Sequence, residues 1–133
     1  MPNLAAITIK KHDGTTDITY TGKQPSAGDG APAVWRSDTV GSAISHQPEL
    51  RLTAREGGKG SKRALRGTYV YPQISTNSTT GVTSVIDKAM ASVDVTFPKG
   101  MASVDVQEFA FQFTNLLASA LVKECFAEGV SAT

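Results

Sequence analysis

The chain has 133 residues, with 13 basic and 12 acidic side chains, a formal net charge of +1 and one cysteine, Cys125. That length fits one domain with a moderate core, the balance of charge excludes attraction by bulk basicity, and a lone cysteine excludes an internal disulfide. Met1-Pro2-Asn3 leads into no apolar leader, and no apolar run reaches the roughly 20 residues of a membrane helix. The expectation is therefore a soluble chain made in a cytoplasm, with no membrane partner.

Leu4 to Lys10 alternates weakly, His12-Asp13-Gly14 marks a turn, and Asp17-Ile18-Thr19-Tyr20 follows. Together they predict an N-terminal β-hairpin over residues 1–21. Gly22 to Pro32 holds three glycines and two prolines and reads as loop. Ala33-Val34-Trp35-Arg36 and then Val40 to Ser45 are short strand candidates ahead of Pro48.

From Glu49 to Pro72 the pattern sharpens. Leu50, Leu52 and Ala54 alternate with Arg51, Thr53 and Arg55, the period of a strand with one dry and one wet face. Gly57, Gly58, Lys59 and Gly60 turn the chain. In the next run Lys62, Arg66 and Thr68 share one parity, and Leu65, Tyr69 and Tyr71 the other. Between 51 and 66 stand six basic residues (Arg51, Arg55, Lys59, Lys62, Arg63, Arg66) and one acid, Glu56. A hairpin with positive charge on one face and apolar groups on the other suits a polyanion; the plainer alternative is a solvated outer face. Pro72 should end the strand, because proline donates nothing to a ladder. Gln73 to Ser84 is polar and small and reads as an exposed loop, and the loop between the main strands is placed at 73–88. Ala89 to Phe97 is the clearest strand, with Ala91, Val93, Val95 and Phe97 on one side and Ser92, Asp94 and Thr96 on the other.

The period then changes. Val106, Phe109, Ala110, Phe113, Leu116, Leu117, Ala120 and Leu121 form an apolar helical stripe, with a break near Ala118-Ser119 and a stop at Gly129. Asp105 followed by Glu108 has the spacing of a capping box. Met90 to Val95 and Met101 to Val106 are the same hexapeptide, MASVDV. The first copy is assigned to a strand and the second to a helix entrance, on the residues just after each. The order is six or seven strands, then one or two helices over 103–129, an α+β arrangement built on an antiparallel sheet over 33–97. Its dry face (Leu50, Leu52, Ala54, Leu65, Tyr69, Tyr71, Val93, Val95, Phe97) needs a cover, and the stripe of Phe109, Phe113, Leu116 and Leu117 can supply one, either to its own sheet or to a partner's.

The N-terminal hairpin, the basic hairpin ending in YVYP, the small polar loop, the strand SVDVTF and the two-part helix EFAFQFTNLLASALVKECF occur in the order of a known family. Along nearly its whole length the chain resembles the coat proteins of the small single-stranded RNA bacteriophages, the levivirus type. The resemblance implies a single coat-protein domain over 1–133 whose two C-terminal helices lie across a partner's sheet in an intertwined dimer. It further implies an icosahedral shell of such dimers, packaging of single-stranded phage RNA on the inner sheet face, and repression of replicase translation as a further role through an RNA hairpin. The virion capsid would be its location, with assembly in the bacterial host's cytoplasm. Carried over by position, the RNA-contacting residues are Arg51, Thr53, Arg55, Lys62, Arg66, Thr68, Ser92 and Asp94, basic groups for phosphate oxygens with hydroxyls and a carboxylate for base edges. Where the family often has a base-stacking tyrosine, this chain has Met90 or Ser92, neither of them aromatic. The loop also lacks the cysteines with which some members cross-link their pores. A non-viral dimeric RNA-binding β-domain is the alternative reading.

No catalytic, metal or cofactor constellation is visible. His12 and His46 have no ligand partners at metal spacing, Cys125 lies in an apolar helix beside Phe126, and Gly57 to Gly60 joins two strands rather than opening a helix over a phosphate. No enzymatic activity, metal or cofactor is expected.

Overall fold

In the computed structural model, which describes residues 2–39 and 43–133, the chain lays down strands β1 (Ile7–Lys10), β2 (Asp17–Gln24), β3 (Pro32–Arg36), β4 (Glu49–Gly57), β5 (Lys62–Thr76) and β6 (Thr83–Pro98). Helices α1 (Ser103–Leu117) and α2 (Ala120–Glu128) follow. The strands neighbour one another in sequence order, β1 to β6, and the pairings from β1 to β5 are antiparallel. Turns and short loops permit this meander, since consecutive strands can pair without a crossover. The expected α+β architecture, an antiparallel sheet with an N-terminal hairpin and two terminal helices, is present. The sheet, to Thr96, and the helical segment, from Phe97, form separate units.

The first hairpin closes on Asp13. Its carboxylate accepts from the N–H groups of Thr15 at 2.9 Å and Thr16 at 2.8 Å, and from the Thr16 hydroxyl, while Gly14 takes φ 74°. The Thr16 hydroxyl first, then the backbone donors, hold the Asp13 carboxyl at about 2, against an ordinary 3.8. Further along β2, Gly22 leaves room for the chain that precedes β1: a Cβ there would stand 2.6 Å from Leu4 Cγ. Opposite Gly22, Trp35 donates its Nε1–H to the Ala5 carbonyl at 2.8 Å.

Three expectations change. Of the strand proposed over Val40 to Ser45, residues 40–42 lie outside the described residues, and Ile44–His46 is a 3-10 turn. β3 already pairs with β4, so this segment has no strand to join, and it closes its own bonds from His46 N–H to Ala43 O and Gln47 N–H to Ile44 O. Second, Pro72 does not end β5, and the loop placed at 73–88 contracts to residues 77–82. Pro72 lies beyond the last pair with β4, Glu49 opposite Val70, where a missing donor removes no bond to that neighbour. The threonines and β-branched residues on either side of the turn suit strand, and Thr76 and Thr83 share a hydroxyl hydrogen bond at 2.9 Å. Asn77 closes the turn by accepting from the N–H groups of Thr79 and Thr80.

Third, Asp105 is not a helix cap. α1 starts at Ser103 after Ala102, with no side-chain capping bond, which leaves Asp105 in the first turn beside the positive helix end. Glu108 consequently reaches forward, accepting from Gln112 Nε2 at 2.8 Å. The break at Ala118-Ser119 and the stop at Gly129 stand where periodicity predicts them. Ser119 precedes α2, and Gly129 takes φ 72° while donating to the Cys125 carbonyl at 2.9 Å. The two MASVDV copies also part as expected, the first wholly in β6 and the second entering α1.

Tyr20 and Val34 are buried, as are Pro48 and Pro72, and no residue of α1 or α2 is buried. Phe109 is 40% exposed and Leu116 63% exposed, so the helical stripe is a surface in this chain.

Asp13 gives a pH test of the first hairpin. Its folded carboxyl titrates below its unfolded value, so its contribution is complete above about 3.8 and is lost as pH falls through about 2. Replacement by alanine should flatten the loss of stability across that window in urea titrations. An unchanged acid limb would show that the turn is held by other groups.

Candidate nucleic-acid interface

The β4–β5 register decides which side chains share a face. Arg51 is opposite Thr68, Thr53 opposite Arg66, Arg55 opposite Ala64, and Gly57 opposite Lys62. All six expected residues of this hairpin therefore lie on one face. Each cation faces a hydroxyl residue, an alanine or a glycine, which avoids like charges directly across a pair. From β6, Asp94 Oδ1 stands 3.7 Å from Arg66 Nε, placing Asp94 on the same face. By alternation Ser92 and Met90 join it there, both exposed, so either residue at the expected stacking position presents itself on this side.

The opposite face pairs Leu50 with Tyr69, Leu52 with Gly67 and Ala54 with Leu65. Gly67 is a close approach: a Cβ there would lie 3.1 Å from both Leu52 and Val93. The Tyr20 and Tyr69 hydroxyls meet at 2.8 Å, and with Ile7, Ile9 and Leu50 these rings line an apolar groove of about 320 Å³. Partial burial first, then the bond to Tyr20, raises the Tyr69 hydroxyl well above its ordinary value, so it stays neutral.

The basic residues are not equivalent. Arg63 leaves the basic face altogether. It sits opposite Glu56 on the other side and holds Asp29 with two bonds, at 2.8 and 3.1 Å. Arg66 and Asp94 are both well exposed, so their contact is screened and weak. Arg55 and Lys62 have no ion pair among the described residues. Arg51 donates its Nε–H to Glu49 Oε2 at 3.0 Å, and Glu49 Oε1 accepts from Arg36 Nη2 at 2.9 Å. Partial burial works to raise the Glu49 carboxyl, but the bonds from Arg51 and Arg36 outweigh it, leaving the group below its ordinary 4.5 and ionised.

Arg36 and Glu49 are not among the residues predicted for this face. Their signal lies in the pairing of β3 with β4, where Arg36 is opposite Glu49 and Val34 opposite Arg51. Alternation inside one strand cannot reveal a partner across the ladder. No group of histidine, cysteine, aspartate or glutamate among the described residues could hold a metal ion, and no helix is long and apolar enough to cross a membrane.

Six antiparallel strands in sequence order, one apolar and one polar sheet face, and two terminal helices define the coat-protein class of fold. No protein-family model matches the chain, and no curated protein matches its sequence. Solved structures do. The chain is similar to the virus-like particle of Beihai levi-like virus 21, with a TM-score of 0.82 and 20% identity over 99% of both chains. It is similar to the virus-like particle of bacteriophage NT-214, with a TM-score of 0.81 and 14% identity over 99% of this chain and 100% of that one. The capsid protein of bacteriophage GA gives a TM-score of 0.75 and 19% identity over 96% of each chain. The fold is thus that of the levivirus-type phage coat proteins, shared nearly end to end.

The Arg63–Asp29 pair should act locally. With Arg63 33% and Asp29 54% exposed, the pair is screened by solvent, and Arg63→Ala should leave the urea midpoint nearly unchanged. A large fall in the midpoint would mean that this pair organises the sheet.

Proposed function

We propose that the chain is the capsid subunit of a small single-stranded RNA phage, assembling as dimers into an icosahedral shell with RNA against its basic sheet face. The observation that carries this reading is the coincidence of two uncovered apolar surfaces with a coat-protein fold. The groove beside Tyr20 and Tyr69 lies on one sheet face, and the stripe of Phe109, Phe113, Leu116 and Leu117 lies on α1. In a dimer with helices laid across the partner's sheet, each surface covers the other, and removal of apolar area from water drives association at about 25 cal/mol per Å². The virion would be its location, after assembly in the host cytoplasm.

On this reading the opposite sheet face meets the genome. Arg55 and Lys62, free of ion pairs among the described residues, supply phosphate contacts. Thr53, Thr68, Ser92 and Asp94 offer hydroxyls and a carboxylate to base edges, and Arg51 and Arg66 add charge from positions already beside an acid. A role in repressing replicase translation requires discrimination among RNA hairpins. Exposed Met90 supplies an apolar surface there but no aromatic platform, so packaging is the better supported of the two RNA roles.

The dimer has a direct test. Phe113→Asp places a carboxylate in the apolar seam, at a cost of several kcal/mol, and should abolish both dimers and particles in size-exclusion chromatography. Normal particles from that variant would remove α1 from the interface.

The RNA face has another. Arg55→Ala and Lys62→Ala should weaken binding of any RNA at low salt, each flattening the dependence of log K on log salt by about 0.7. Thr53→Ala should chiefly narrow the difference between a recognised hairpin and a scrambled one. If both basic substitutions leave affinity and slope unchanged in filter binding, RNA is held elsewhere.

A further inference from the structure

The cations of the polar face carry an acid among them. Glu49 lies opposite Arg36 on β3, opposite Val70 on β5 and two residues before Arg51 along its own strand. Both its oxygens are engaged, Oε1 by Arg36 and Oε2 by Arg51. The side chains of Glu49 and Arg36 are 20% and 19% exposed, whereas Arg51 is 50% exposed. The acid and Arg36 thus form a half-buried root, and Arg51 extends from it to solvent. Glu49 takes the Nε–H of Arg51 and leaves its Nη groups, the fork suited to a phosphate. Beside the three runs a cleft of about 470 Å³, which Val70, Pro72 and Lys88 also line.

We propose that Glu49 is a positioning residue that limits the charge of this face: it holds Arg36 and Arg51 as a fixed triad worth one net positive charge, so that a phosphodiester of single-stranded RNA is met by an oriented arginine fork and not by two free cations. The inference rests on the RNA-binding reading above and deepens it. Two loose arginines would attract any polyanion. A triad of net charge one attracts less strongly, and its donors satisfy only a phosphate that arrives in their plane. Glu49 would in this way trade affinity for all RNA against preference for RNA that fits.

Counterion release separates this role from a purely structural ion pair. Replacing Glu49 by glutamine adds one net charge, which should steepen the slope of log K against log salt by about 0.7 for single-stranded RNA. Arg36→Gln leaves Glu49 to neutralise Arg51 and should flatten the slope by about the same amount. The experiment is filter binding of the purified full-length protein to a uridine homopolymer and to a hairpin with a random loop, across salt. Lys62→Ala runs in parallel, and circular dichroism checks each fold. The expected result is opposite slope changes for Glu49→Gln and Arg36→Gln, with Glu49→Gln binding the homopolymer more tightly at low salt. If Lys62→Ala flattens the slope while Glu49→Gln leaves it unchanged or flattens it, the charge-limiting role is overturned and the RNA-binding reading stands. If Lys62→Ala and Glu49→Gln both leave the slope unchanged, the RNA-binding reading fails and this inference falls with it. Should Glu49→Gln not fold, Arg36→Gln decides alone: a flatter slope supports the triad, and an unchanged slope overturns it.

Discussion

The antiparallel register of β4 against β5, from Glu49 opposite Val70 to Gly57 opposite Lys62, is the constraint on which the other features depend. Side chains alternate across a sheet, so this register alone sends Leu50, Leu52, Leu65 and Tyr69 to one side and Arg51, Thr53, Arg55, Lys62, Arg66 and Thr68 to the other. A slip of one residue would drive arginines into the apolar groove and leucines into water. The turn at residues 58–60, with Lys59 at φ 58° and Gly60 at φ 84°, fixes where the count begins. Gly67 adds a second check, because Leu52 and Val93 close over the place where a side chain would be.

That register also explains the distribution of charge. Hydroxyls, an alanine and a glycine stand across from the cations, so positive groups gather on one face without facing each other directly. Where cations do crowd, at Arg36 and Arg51, Glu49 separates them. The result is a graded surface, with Arg55 and Lys62 outside any ion pair among the described residues, Arg66 weakly paired and Arg51 firmly held. A net charge near zero for the whole chain is compatible with such a surface because most of the acids lie on other segments.

Period-2 and period-3.6 patterns make the sheet faces, the N-terminal hairpin, the helical stripe and its break at Ala118-Ser119 legible in the sequence. Features that depend on partners distant along the chain escape those patterns. Glu49 is invisible as a charge clamp because its significance comes from Arg36, which a separate strand delivers. Arg63 counts with its basic neighbours along the chain, although parity within the strand and Asp29 across the chain take it to the other side. Pro72 misleads for a related reason: a proline ends a strand where its nitrogen must serve a neighbour, and β4 has already ended there. The identical MASVDV copies make the same case from the other direction, since one hexapeptide occupies a strand when Thr96 and Phe97 succeed it and a helix entrance when Gln107 and Glu108 do.

The helices and the apolar sheet face have no buried residues commensurate with their composition. On the proposed reading the core of the subunit is completed between two chains. The most direct measurement is negative-stain electron microscopy of the purified chain, expressed alone, together with the absorbance ratio that reports nucleic acid. Closed particles in the megadalton range, carrying RNA that nuclease cannot reach, are expected. A monodisperse small monomer or dimer free of nucleic acid, under conditions where the fold is intact, would contradict it.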